Sequence, residues 1–366
     1  MSMPESKTVP ETKTVPETKT VPGTTVGSRR LTISEALREA IAEEMRRDPD
    51  VFLIGEDIGV EGGFGGAFGV YLGLPEEFGH ERMIDTPISE KAIAGAAVGA
   101  AILGMRPIAD MQYSDFLFEC MDELVNQAAK LRYMSGGKLS VPMVMRAPVG
   151  ATTRGAQHGQ CPESYFAHVP GLKVVAPSDA YNAKGILKSA IRDNNPVLVF
   201  EHKMLYGSKG REAAGGFDLT CEVPLEDYVV PIGQAVVKRP GRDVTVVATH
   251  ISLYRALAAA EELAAEGIEC EVIDPLTLQP LDGGTIFGSV RRTGRLVIVH
   301  EDTLTGGWGA EVAARAADEC LSYLEAPVKR VATVDGARGC SSETGHGVAK
   351  WPTPSGCPLS ASPVTR

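Results

Sequence analysis

The 366 residues carry 36 Lys and Arg against 47 Asp and Glu, a formal net charge of −11. A chain this acidic, without clustered Lys or Arg, is not built to bind nucleic acid, whose phosphates require basic patches. The length predicts about two ordinary domains, and 43% hydrophobic with 23% charged residues is globular composition. Cys120, Cys161, Cys221, Cys270, Cys320, Cys340 and Cys357 are scattered, with neither a C-x-x-C pair nor zinc spacing, which predicts reduced thiols. The longest apolar run, Ala92 to Met105, is too short for a bilayer, and MSMPESKTVP lacks the apolar centre of a secretory signal. The expected location is the cytoplasm.

Residues 1–28 open with KTVPET, KTVPET and KTVPGT, a polar six-residue repeat that cannot bury a core and reads as a disordered tail. Thr32 and Glu35 form a T-x-x-E capping box ahead of Ile33, Leu37, Ile41 and Met45 at helical spacing. VFLIGE (51–56) reads as a buried strand. A glycine-rich loop, GVEGGFGGAFG (59–69), precedes a helix from Ser89. Strand 106–111, a helix across Phe116–Tyr133, strand 141–148, a short helix at Pro162–His168, strand 173–177, helix 179–193 and strand 196–202 complete a first domain, 29–206. Residues 207–231, with Gly215, Gly216 and Pro224, read as a linker. A second domain, 232–335, alternates strand 243–250, helix 252–267, strand 270–275, a helix near 282–292, strand 295–301, helix 309–324 and strand 328–334. Residues 336–366 lack apolar periodicity and read as a disordered tail. Alternating strands and helices predict two doubly wound α/β domains in series, with parallel sheets.

Ligands of such sheets bind beyond the carboxyl ends of the strands, which singles out Glu56, Asp110–Phe116, Pro148–His158, His202 and Glu301. The loop 59–69 is not a dinucleotide fingerprint, because its glycines do not open a helix and no acid stands on a second strand. It reads as a loop that closes over a ligand or packs against another chain. Glu90 alone reads as a first-turn carboxylate favoured by the helix dipole, behind a capping Ser89. The helix behind it is unusual: Ala92, Ala96, Ala100 and Gly104, flanked by Gly95 and Gly99, let another backbone approach closely. Close packing on several sides would bury that carboxylate, which then needs a partner or a proton. His158 and His202 are polar loop histidines after strands, Cys161 a buried or loop thiol, and Phe116 core by default. There is no Walker loop and no G-D-G diphosphate site.

Together, IDTPISE, NQAAKLRYMSGG, AQHGQ, PGLKVV, AIRDNNPV and EHKMLYG resemble the β subunit of the thiamine-diphosphate-dependent 2-oxoacid dehydrogenases, the group of the pyruvate, branched-chain and acetoin complexes. The resemblance runs from about Thr32 to Val334. It implies a transketolase-like pyrimidine-binding domain followed by a transketolase C-terminal-type domain. It also implies an α subunit that holds the magnesium and diphosphate, an α2β2 assembly, and a lipoyl acyltransferase taking up the product. Residue by residue, Glu90 matches the glutamate that hydrogen-bonds a ring nitrogen of the cofactor's aminopyrimidine and favours its imino form. Phe116 matches the aromatic on that ring, Gln112 a neighbouring pocket position, and Glu56 an acid of a proton relay. His158 matches the active-site histidine. Met143, Ala190, Ile191, Asp193 and Asn195 match a structural potassium site built largely from backbone carbonyls.

Three departures accompany the resemblance: the extra glycines of 59–69, the absent terminal helix after residue 335, and the repeat tail. EHKMLYGSKG leans toward acetoin and pyruvate types, and QYSDFLFECMDELVNQAAK toward the branched-chain type, so the substrate is open. A carboligase of the same cofactor class without a lipoyl acceptor, and a catalytically inert scaffold subunit, are the alternatives. Glu90 and His158 speak against the scaffold.

Overall fold

The computed structural model describes residues 27–151, 155–207 and 217–333. The repeat at 1–26 and the tail from 334 lie outside the described residues. Ser28, counted above with the tail, already opens the first strand, β1 (Ser28–Leu31). The capping box at Thr32 forms as expected and starts α1 (Ile33–Arg47).

The chain then runs through β2 (Val51–Gly55), a short α2 (Leu74–Phe78), β3 (Met83–Asp85), α3 (Glu90–Ile102) and β4 (Arg106–Asp110). The helix expected across 116–133 begins earlier, as a 3₁₀ stretch Ser114–Cys120, widens to π turns at Asp122–Ala128, and ends as α4 (Ala129–Met134). Next come β5 (Val144–Val149), α5 (Glu163–Ala167), β6 (Lys173–Val175), α6 (Ala180–Arg192), capped by the Asp179 carboxylate, and β7 (Val197–His202). The second half comprises β8 (Cys221–Pro224), β9 (Val236–Arg239), β10 (Val244–Ala248), α7 (His250–Ala264), β11 (Cys270–Asp274), β12 (Thr277–Gln279), α8 (Gly283–Thr293), β13 (Leu296–Thr303), α9 (Trp308–Cys320) and β14 (Lys329–Thr333).

Two mostly parallel sheets result. The first is ordered β12-β6-β7-β5-β4-β2-β3 and the second β14-β13-β10-β11-β9. Only β12 and β9, at the edges, run antiparallel. The expected linker is more than a connection: β8 within it pairs antiparallel with β1, Leu31 opposite Cys221. Likewise β12, which follows β11 in the chain, leaves the second sheet to pair with β6 of the first. Neither pairing is local in sequence, so no periodicity announces it.

The two sheets share one apolar core, from Ile93, Ala97 and Leu117 through Phe166 and Phe200 to Leu278, Phe287 and Trp308. A buried pair ties the halves: His202, at the end of β7, meets Glu301 of β13 with Nε2 2.5 Å from Oε2. Because His202 Nδ1 accepts from the Met204 N–H at 3.2 Å, Nε2 carries the proton and donates to Glu301. Gly150 makes room for that ring. Its φ is +98°, and a Cβ there would lie 2.1 Å from His202 Nε2.

Candidate active site

In the first sheet the chain goes from β2 to β3 on one side and on to β4 at the other flank of β2. The topological switch point therefore lies between β2 and β4, where open α/β sheets bind ligands. Glu56 follows β2 there, Gln112 and Phe116 follow β4, and Glu90 opens α3, which leads from β3 to β4. The Gln112 amide donates to the Glu56 carbonyl at 3.1 Å and ties the two strand ends together.

His158 comes in from the loop after β5, on a 3₁₀ turn Ala156–His158. Its imidazole stands edge-on to Tyr113 (centroids 4.8 Å, 89°) and to Phe116 (5.6 Å, 83°). The loop is closed by Asp115, whose Oδ1 accepts from the Gln160 backbone at 3.2 Å and its amide at 2.9 Å. The structure thus brings Glu56, Gln112 and Phe116 to one strand-end cluster, with His158 against its aromatic wall and Glu90 electrostatically coupled to Glu56. Phe116 is half-buried, a wall of this cluster and not the core residue that its type suggests.

The charges are concentrated. Burial raises the Glu56 carboxyl above its ordinary value, and the neighbouring charges of Glu90, Asp57, Asp110 and Asp85 push the same way. Glu90 is half-exposed in the first turn of α3, and no hydrogen bond or ion pair engages its carboxylate among the described residues. The expected Ser89 cap does not form: at φ −167° its side chain makes no capping bond.

The small-residue stripe also departs from expectation. Ala92, Ala96, Gly99 and Gly104 are exposed, and α3 buries Ile93, Ala94, Ala97, Val98 and Ala101 instead. A Cβ on Gly99 would meet nothing within 4 Å, and one on Gly95 only Glu123 at 3.7 Å. The close approach those residues permit is not used among the described residues.

The loop 59–69 packs on its own chain through its second half. Phe68 stacks on Tyr206 (4.7 Å, 15°) and meets Tyr113 edge-on at 6.0 Å, while Arg38 donates to the Gly69 and Val70 carbonyls. Its tip is free, with Phe64 94% exposed. Just beyond it, the Tyr71 hydroxyl enters a buried network that residue-type reasoning missed. The Arg146 guanidinium contacts Tyr71, Asp110 (3.1 Å) and Glu201 (Nε to Oε1 2.8 Å), and the Tyr206 hydroxyl donates to Glu201 at 2.6 Å. Arg146 and Glu201 sit inside strands as lone charges in apolar runs, VMRAP and VFEH, the one signal that could have exposed them. Burial moves the Asp110 carboxyl up to about 6 despite Arg146. Cys161 is buried, as expected.

The five residues expected at a potassium site do meet at the amino-terminal side of the sheet, but their donors are engaged. Arg106 donates to the Ile191 and Asp193 carbonyls at 2.9 and 3.1 Å. The Asp193 carboxylate takes Lys173 on one oxygen and two Asn195 N–H groups, both at 2.8 Å, on the other. The Met143 carbonyl accepts from Val197 at 3.0 Å and that of Ala190 from Asp193 at 3.2 Å. Among the described residues there is no cluster of three or more His, Cys, Asp or Glu suited to a metal ion, and no helix is long and apolar enough to cross a membrane.

Fold and cluster define a two-domain α/β protein with a strand-end cluster of polar and aromatic residues at the β2/β4 switch point. The family of the transketolase pyrimidine-binding domain matches residues 29–209, and that of the transketolase C-terminal domain residues 233–344. The chain is 47% identical over 302 residues to a 2-oxoisovalerate dehydrogenase β subunit of Bacillus subtilis, covering 82% of this chain and 88% of that one. It is 46% identical over 312 residues to an acetoin:2,6-dichlorophenolindophenol oxidoreductase β subunit of Cupriavidus necator, covering 83% and 89%. It is 45% identical over 307 residues to a pyruvate dehydrogenase E1 β subunit of Rhizobium meliloti, covering 83% of this chain and 64% of that longer one. A solved structure titled split gene transketolase, inactive β4 tetramer, shares the fold at TM-score 0.65 and 24% identity over 83% of this chain and 90% of that one. The chain belongs to the β-subunit family of the thiamine-diphosphate-dependent 2-oxoacid and acetoin dehydrogenases. Members are oxidoreductase subunits that work in heterotetramers with an α subunit.

Proposed function

We propose that this chain supplies the pyrimidine side of a thiamine-diphosphate active site shared with an α subunit, acting in the cytoplasm on a 2-oxoacid or acetoin. The observation that carries the reading is the gathering of Glu56, Glu90, Gln112, Phe116 and His158 around one switch point, in a sequence without a G-D-G diphosphate motif. The residues present fit half a cofactor. A first-turn carboxylate unpaired among the described residues and an aromatic wall suit an aminopyrimidine, while magnesium and diphosphate fall to the α subunit. When bound, thiamine diphosphate supplies a nucleophilic thiazolium carbon and an electron sink for decarboxylation.

The chain's own residues do the positioning and the proton work. Glu90 would share a proton with a pyrimidine ring nitrogen, since no other described donor competes for its carboxylate. Glu56, raised by burial and by the charge of Glu90, is suited to hold a proton and take part in a proton relay. Phe116 offers an apolar face to the pyrimidine, and Gln112 fixes the spacing of the strand ends. His158, against the aromatic wall of Tyr113 and Phe116, would donate or accept a proton at the reacting carbonyl. A potassium ion at 190–195, if bound, has a structural place only. The acyl or aldehyde unit then passes to a lipoyl carrier on an acyltransferase partner.

The test is co-expression with the α partner and dye reduction with pyruvate, branched-chain 2-oxoacids and acetoin. Turnover on one class assigns the substrate. No turnover on any of them refutes the reading, and a product with a new carbon–carbon bond made without lipoyl protein would assign a carboligase instead.

A further inference from the structure

Beside the cluster stands a buried cation that the assignments above leave without a task. Lys203 opens the 3₁₀ turn Lys203–Leu205 directly after β7 and is 3% exposed. Its stem is anchored by the preceding residue, because His202 is fixed at both ring nitrogens. From there the ammonium reaches the neighbouring loop after β5 and donates to the His158 carbonyl at 2.6 Å. The same ammonium lies 5.0 Å from the centroid of the Tyr113 ring, the ring against whose face or edge the imidazole stands at 4.8 Å. One cation thus touches both the backbone of His158 and the aromatic that sets its ring orientation.

We propose that Lys203 is a positioning residue for His158. A buried ammonium is costly to release from its partners, so it makes a stiff tether. The cation–π contact fixes Tyr113 by the same anchor. Among the described residues, the backbone of the three-residue turn that carries His158 closes from the His158 N–H to the Gly155 carbonyl at 3.2 Å. The tether from β7 replaces the rigidity that so short a turn lacks. Lys203 acts through His158 and not on substrate, so the inference rests on the reading of His158 given above.

The experiment is a double-mutant cycle in the assembled α/β complex. Lys203→Met keeps the stem and removes the charge, and is expected to lower kcat about tenfold with KM within about twofold, the scale of a small misplacement near the reacting centre. Lys203→Arg, which keeps a donor and a cation, should recover part of the loss. In a His158→Ala complex Lys203→Met should cost nothing further. An equal loss in both backgrounds, a loss confined to KM, or no loss at all overturns the inference. Should Lys203→Met not assemble, Lys203→Gln, which also removes the charge, carries the same cycle: a loss that vanishes in the His158→Ala background supports the tether, and an equal loss in both overturns it. If His158→Ala alone leaves turnover unchanged, the reading of His158 fails and takes this inference with it.

Discussion

Arg146→Met is the sharpest probe of how the site is held. The guanidinium is 1% exposed and lies between Asp110 and Glu201, themselves nearly inaccessible, with Tyr71 and Tyr206 completing the network. Removing it leaves two buried carboxylates facing each other without a counter-charge. Breaking such a pair from one side costs about 3–5 kcal/mol. At about 2–4 °C per kcal/mol for a domain of this size, the thermal midpoint should fall by roughly 6–20 °C. The loss should also depend on pH. Burial already holds Asp110 at about 6 with Arg146 present, and loss of the Arg146 charge, which pulls that value down, moves it higher still. Acids with raised folded-state values contribute stability that is complete at low pH and lost as pH rises through those values. The variant should therefore lie much closer to the parent at pH 5 than at pH 8. Thermal unfolding of the complex, followed by circular dichroism at both pH values, measures this. A midpoint shift below about 2 °C at pH 8, or the same shift at both, would refute the reasoning.

Gly150→Ala should lose about 2–5 kcal/mol, from a side chain at positive φ and from a Cβ driven into His202. Urea unfolding reads it, and adding His202→Ala should recover the steric part but not the backbone part. Asp274 is a separate pH-sensitive group: burial pushes its carboxyl up to about 7 against the pull of Lys238. Its contribution is present in acid and disappears as pH rises through 7. Asp274→Asn should therefore flatten the decline in stability between pH 4 and pH 8 by roughly 4 kcal/mol. An unchanged slope in thermal scans across that range would contradict the assignment.

The alternation of apolar runs and helical periods made the two parallel sheets legible, because each strand and helix buries its own pattern locally. What stayed hidden was set by distant pairing. β8 lies in a stretch rich in turn residues and becomes a strand only because β1 offers an edge. β12 is three residues long and crosses to β6. At the site, Glu90, Glu56 and Phe116 could be placed at strand and helix ends, but composition gave each a bland alternative. Resemblance supplied their roles, and the switch point between β2 and β4 explains why they meet. Lys203 and Arg146 were overlooked because a cation in a strand or turn reads as solvated surface, and only tertiary structure shows it buried. The alanines of α3 showed the converse error. Small side chains do permit close approach, yet here they face outward, and no described residue fills the surface they offer.

Glu90 stands at the mouth of α3 with no hydrogen bond or ion pair on its carboxylate among the described residues. The decisive measurement is turnover of the assembled α/β complex carrying Glu90→Gln, at saturating thiamine diphosphate and magnesium and with assembly checked by size. Loss of the proton-sharing group should lower kcat by at least about 100-fold while the complex still forms. Turnover within about twofold of the parent would contradict the assignment of this chain as the pyrimidine half of the site.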